Sequence, residues 1–143
     1  MQLDSLSNVK EPTYSLAKLP PDITDLTGEQ LAEMFTILTG WADYFATKLL
    51  HAQLEERAAE KKLDRHVASL TVSKLGSATK ADKVTLIKAQ IACDETTQDL
   101  EDAYEALYAT RKAWELMLNN QERDITLVSR EITRRTSELR RGI

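Results

Sequence analysis

The chain has 143 residues, 29% of them charged, and a formal net charge of −4. That length suits one compact domain rather than two, and the acidic balance excludes a strongly cationic nucleic-acid binder while leaving room for a local basic patch. Four glycines and three prolines argue against β-sandwiches, barrels and low-complexity linkers, and one cysteine (Cys93) with two histidines excludes an internal disulfide and argues against a structural zinc site.

No run of about 18 apolar residues is present, so no membrane span is expected. Met1 is not followed by a basic and then apolar stretch, so no secretory leader is expected. The expectation is an all-α, cytoplasmic protein.

Residues 1–26 show no sustained period. Leu3, Leu6, Val9, Leu16, Leu19 and Ile23 are scattered among Pro12, Pro20 and Pro21. Each proline ring fixes its own φ and restrains the residue before it, which gives an extended or turn conformation. The segment reads either as an arm lying on a surface or as a disordered tail, and its apolar content favours the arm.

Helix one opens at Thr27, followed three residues later by Gln30, which is the spacing of a capping box. Leu26 and Leu31 flank it as a hydrophobic staple. From there to Leu75 there is no proline, and Gly40 is the interior glycine. The seam runs Leu31, Phe35, Leu38, Ala42, Phe45, Leu49, Ala52, Glu56, Ala59, Leu63, His66, Leu70, in alternating steps of four and three. That is the seven-residue repeat of a coiled-coil seam. Met34, Trp41, Tyr44 and Leu50 widen its first half, and a wide stripe needs more than one neighbour.

A turn is predicted over 76–79, with Gly76 in the left-handed C′ position and Thr79 with Asp82 as a second capping box. Helix two carries Val84, Ile87 and Ile91. Around Cys93 to Thr97 the apolar pattern weakens, and two readings stay open: a continuous helix over 80–141, or a break with Asp94 or Thr96 as a new cap. The seam resumes as Leu100, Tyr104, Leu107, Arg111, Trp114, Leu118, Gln121, Ile125, Val128, Ile132, Arg135, Leu139. Its first turns are acidic and its last turns basic, which suits the helix dipole.

The expected architecture is a long antiparallel helical hairpin over 27–143 (helices 28–75 and 80–141), coiled-coil-like, with an extended arm over 1–26. A helix of about 48 residues would span roughly 70 Å, and such a hairpin cannot cover both wide stripes by itself. Homo-oligomerisation through Leu38, Trp41, Phe45, Leu49, Leu107, Trp114 and Leu118 is the expected remedy.

Chemistry is sparse. The glycines are isolated, so no phosphate-binding loop is formed. His66 falls on the seam and reads as a packed residue, and Cys93 reads as a small buried hydrophobe. The carboxylates around Asp94 lack the glycine and spacing of a calcium loop and read as a cap-rich helix start. Trp41 and Trp114 read as core or subunit packing rather than as nucleobase platforms. No catalytic residue, metal ligand or cofactor site is assigned.

Two basic features remain. Arg57, Lys61 and Arg65 form a ladder on one helix face, partly neutralised by Glu56, Glu60 and Asp64. Residues 129–141 hold five arginines against two glutamates, a local balance of +3. Arg123, Arg130, Arg134 and Arg141 fall on roughly one helix face. Arginines with nearby hydroxyls are usual phosphate contacts. The alternative is dipole compensation with ion pairs such as Glu131–Arg135. Repeated around an oligomer, the patch would become a continuous track for a single strand.

The segments Trp41-Ala42-Asp43-Tyr44, Glu55-Glu56-Arg57-Ala58-Ala59-Glu60-Lys61-Lys62, Lys88-Ala89-Gln90-Ile91-Ala92-Cys93-Asp94 and Ser129-Arg130-Glu131-Ile132-Thr133-Arg134-Arg135, with the break at Gly76, carry a resemblance over about residues 30–141. In this pattern the chain is similar to the small phage recombination mediators of the UvsY type. The resemblance implies a non-enzymatic homo-oligomer in the infected host cell that binds single-stranded DNA and helps load a recombinase onto strands covered by single-strand-binding protein. Local charge, rather than family correspondence, nominates Arg130, Arg134, Arg135, Arg140 and Arg141 for the strand, with Arg57, Lys61 and Arg65 secondary. The rival readings are a virion or assembly protein acting through helical packing and its arm, and an adaptor offering a helical face.

Overall fold

The computed structural model describes residues 10–77 and 84–142. Among these the chain is all-α: a 3-10 turn at Ile23–Asp25, then α1 (Gly28–Ser77), α2 (Val84–Ala92) and α3 (Glu95–Arg140). The long helices α1 and α3 pack against each other as an antiparallel pair. The chain divides into two compact units, Met1–His51 with Ala113–Ile143, and Ala52–Lys112.

α1 begins as its sequence predicts. Gln30 N donates to Thr27 Oγ1 (3.1 Å) and Thr27 N donates to Gln30 Oε1 (2.9 Å), which closes the reciprocal capping box. Its far end differs from expectation. Gly76 lies inside the helix, which runs to Ser77, and does not take the left-handed conformation. The Thr79–Asp82 box lies outside the described residues.

Of the two readings left open for 80–141, the break is the one found: α2 and α3 are separate helices. Asp94 makes the break by capping α3: its Oδ2 accepts from Thr97 N (3.0 Å) and Thr97 Oγ1 (3.1 Å), and its carbonyl accepts from Gln98 N. Cys93, expected to be buried, is exposed because it sits in the turn between α2 and α3.

In the first unit, Leu31 and Leu38 of α1 and Val128 of α3 are fully buried in one cluster. Gln121 Nε2 donates to the Leu38 carbonyl (3.2 Å), and Phe45 lies 6.1 Å from Trp114 between ring centroids. Numbers rise along α1 as they fall along α3, which fixes the antiparallel register. The arm docks on this pair from Tyr14 onward. Leu19, Ile23 and Leu26 pack on the core cluster, and Trp41 Nε1 donates to the Tyr14 carbonyl (3.2 Å). Tyr14 lies over Gly40 so closely that an alanine Cβ there would overlap its hydroxyl. Gly40 costs α1 helix propensity and allows this approach of the arm.

In the second unit, Ile87 and Ile91 of α2 are buried, and α2 packs beside α1 and α3. Between the three helices lies a groove of ≈ 330 Å³ lined by Val67, Thr71, Ile87, Ile91 and Thr97, among others. On the two seams, Glu56 of α1 and Arg111 of α3 form an ion pair with little exposure, and Arg111 Nη2 also donates to Glu56 Oε1 (3.3 Å).

Candidate functional site

The last turns of α3 carry the densest positive charge, but its arginines divide into two groups. Arg130, Arg140 and Arg141 are exposed. Arg134 and Arg135 are held by Glu131, a carboxylate only 6% exposed. Arg134 grips both of its oxygens, with Nε 2.9 Å from Oε2 and Nη2 2.7 Å from Oε1. Arg135 Nε donates to the same Oε1 (2.8 Å). Arg134 also pairs with Glu138, one turn on.

Arg135 has a further partner far away in sequence. Its Nη2 donates to the Thr24 carbonyl (3.2 Å). The 3-10 turn holds that carbonyl in place: Asp22 Oδ1 accepts from Thr24 N (2.9 Å) and Thr24 Oγ1 (2.6 Å). The arm is therefore clipped to α3 through one guanidinium. Arg135 is a seam residue, three quarters covered, and not the solvent-facing contact expected from charge alone. Arg134 remains half-exposed.

These bonds set the site's titration. The two guanidinium groups, Arg134 first and then Arg135, lower the Glu131 carboxyl from 4.5 to about 2 and so oppose its protonation. Hydrogen bonds from the Thr24 hydroxyl and amide lower Asp22 as well. A carboxyl depressed by folding stabilises the fold above its unfolded value, and that stabilisation is lost as pH falls through the folded value. The arm is expected to hold at pH 5 and loosen between about 4.5 and 2. In a Trp114→Phe protein, Trp41 emission should report the loosening, since its indole donates to the arm. Glu131→Gln should shrink the transition, and an unchanged acid profile would contradict the clip.

The other nominated cations lie in the second unit. Arg57, Lys61 and Arg65 are exposed along α1. Nearby, Glu56 is occupied by Arg111. In the same unit, His66 Nε2 lies 3.1 Å from Asp94 Oδ2, and this bond, with that from Thr97 N, lowers the Asp94 carboxyl. The ionised carboxylate only accepts, so the His66 Nε2 carries the proton. His66 thus ties α1 to the cap of α3. Among the described residues no cluster of three or more His, Cys, Asp or Glu is placed to hold a metal ion.

The residues nominated for subunit contact are placed differently from expectation. Leu38, Trp41 and Phe45 are buried within their own chain. Leu49, Leu107, Trp114 and Leu118 are partly covered by it. The docked arm supplies covering that the hairpin alone lacked. Trp41, Tyr44, Phe45 and Trp114 form one aromatic cluster, with neighbouring centroids 5.6–6.1 Å apart. The most exposed apolar residues are others: Val72 (73% exposed) and Val84 (63%) in the second unit, and Leu139 (77%) and Leu116 (62%) in the first.

Sequence reasoning missed the Tyr14–Gly40 approach and the Glu56–Arg111 and Arg135–Thr24 contacts. The signal for the second was present, because both residues are charged interruptions of otherwise apolar seams. The backbone contact of Arg135 had no signal. No family model matches the chain, and no curated protein or solved structure matches it either. No helix among the described residues is long and apolar enough to cross a membrane.

Proposed function

We propose that the chain is a non-enzymatic, homo-oligomeric single-stranded-DNA-binding protein of the recombination-mediator kind. It would act in the cytoplasm of an infected cell with a recombinase and a single-strand-binding protein. The observation that carries this reading is the exposed arginine group of α3, Arg130, Arg140 and Arg141 with half-exposed Arg134, on a chain that is acidic overall. Net charge of that sign disfavours indiscriminate binding to polyanions, and weak local patches repeated in an oligomer bind by avidity. Exposed Val72, Val84 and Leu116 support self-association, in place of the buried residues nominated from sequence. The sequence resemblance supports the choice of mediator over other strand binders.

The test is anisotropy of a fluorescently labelled single strand at several salt concentrations, with duplex as competitor. Arg130→Ala, Arg140→Ala and Arg141→Ala together should weaken binding. They should also flatten the slope of log affinity against log salt by about 2, at about 0.7 per phosphate contact on a single strand. Helix content should not change, because these side chains take no part in the Glu131 pairs. An unchanged slope would remove the α3 arginines from the interface. Absence of any strand binding at micromolar protein would remove nucleic acid from the function.

The reading as a virion or assembly subunit acting through a free arm has less support, since residues 14–26 are engaged on their own chain.

A further inference from the structure

We infer that Glu131 and the docked arm occupy the guanidinium groups a phosphate would take, Glu131 at Arg134 and Arg135 and the arm at Arg135, so that arm docking and polyanion binding at Arg135 exclude one another. This rests on the proposal that the C-terminal arginines bind a single strand, and adds its regulation.

The geometry is that of an intrachain anion seated in an arginine fork. A carboxylate and a phosphate offer the same pair of acceptor oxygens, and a guanidinium binds either in the same bidentate way. Arg134 already spends its Nε and Nη2 on the two oxygens of Glu131. Arg135 spends Nε on Glu131 and Nη2 on the Thr24 carbonyl. A phosphate that engages Arg135 through that fork must break the bond to Thr24, which is the arm's polar tie to α3. A phosphate that engages both arginines also leaves Glu131, almost fully buried, beside a new negative charge. Glu131 must then give up its place between the two arginines. Asp22, on the 3-10 turn, already senses the negative charge of Glu131.

The coupling is reciprocal by linkage. Whatever loosens the arm frees the Arg135 Nη2 for the strand, and whatever draws that group to the strand loosens the arm. In the docked state the basic surface is Arg130, Arg140 and Arg141, with Arg134 half-exposed but paired to Glu131 and Glu138. In the released state it gains the Arg135 Nη2 in the same turns of α3.

The experiment compares three full-length proteins: the unmodified chain, Glu131→Gln, and the charge-matched control Glu122→Gln, whose carboxylate is exposed on the same helix. Each is titrated into a labelled oligo-dT at several salt concentrations. Glu131→Gln should bind about tenfold tighter and steepen the salt slope by about 1.4, for two added contacts at about 0.7 each. Glu122→Gln should leave the slope unchanged. Trypsin cleavage after Lys18 in the unmodified chain supplies a second readout that needs no variant, and saturating oligo-dT should accelerate it. If Glu131→Gln fails to fold, this cleavage decides. Equal slopes in all three proteins with unchanged cleavage would overturn the inference and leave strand binding standing. No strand binding by any of the three would overturn both.

Discussion

Leu38→Ala is expected to cost about 3 kcal/mol of folding stability, within the range of about 2–5 for removing a buried leucine. Leu38 is fully buried, with Leu31 and Val128 in one cluster. The cluster it belongs to packs against the docked arm as well as α3, so a cavity there weakens that shared core. Its carbonyl also receives the Gln121 amide, and a backbone shift into the cavity would strain that bond. Urea unfolding followed by far-ultraviolet circular dichroism gives the number. Leu139→Ala, on a side chain 77% exposed, serves as the comparison and should stay within about 0.5 kcal/mol of the unmodified chain. Equal losses for the two leucines would mean that the core does not lie where these contacts put it.

The second large effect belongs to the Glu56–Arg111 pair, whose side chains are 12% and 19% exposed. Arg111→Ala should destabilise by about 3 kcal/mol, because it leaves the Glu56 carboxylate in a mostly dry seam without the Arg111 guanidinium, and Glu56→Ala should cost less, because Arg111 keeps its contact with the Tyr108 ring. The double replacement Glu56→Leu with Arg111→Leu should recover most of that loss. Paired apolar side chains incur no desolvation penalty and continue the seams on either side. A thermodynamic cycle over the single and double alanine variants measures the coupling. A coupling near zero would show that the charges are solvated and that the pair is incidental. The expected large coupling makes this contact the register mark of the second unit, since a slip by one heptad would set both charges against apolar neighbours.

These two contacts illustrate how the seams work. Every seam position of α1 up to Leu70 other than Phe35, and every position of α3 from Leu100 to Arg135, is at least partly covered. The polar residues among them have partners: Glu56 with Arg111, His66 with Asp94, Gln121 with the Leu38 carbonyl, and Arg135 with Glu131 and Thr24. A polar residue in a predicted seam is thus a statement that something across the interface answers it, though not what does.

Sequence alone determined the features that depend on neighbours within a turn or two. The four-three spacing identified which face of each long helix is covered. Thr27 with Gln30 marked the start of α1 through its capping box, and Asp94 was one of two residues marked for the break before α3. Such bonds close within a few residues, so the local sequence contains all of their parts. Tertiary structure alone decided what meets each face. It placed Leu38, Trp41 and Phe45 inside their own chain rather than between subunits, set Tyr14 on Gly40, and exposed Cys93 in a turn. It also separated the C-terminal arginines into an open group and a group held by Glu131 and the arm. Charge density in a sequence counts cations without their counterions. Whether an arginine is free for a phosphate depends on a carbonyl 111 residues away, which only the folded chain brings within reach.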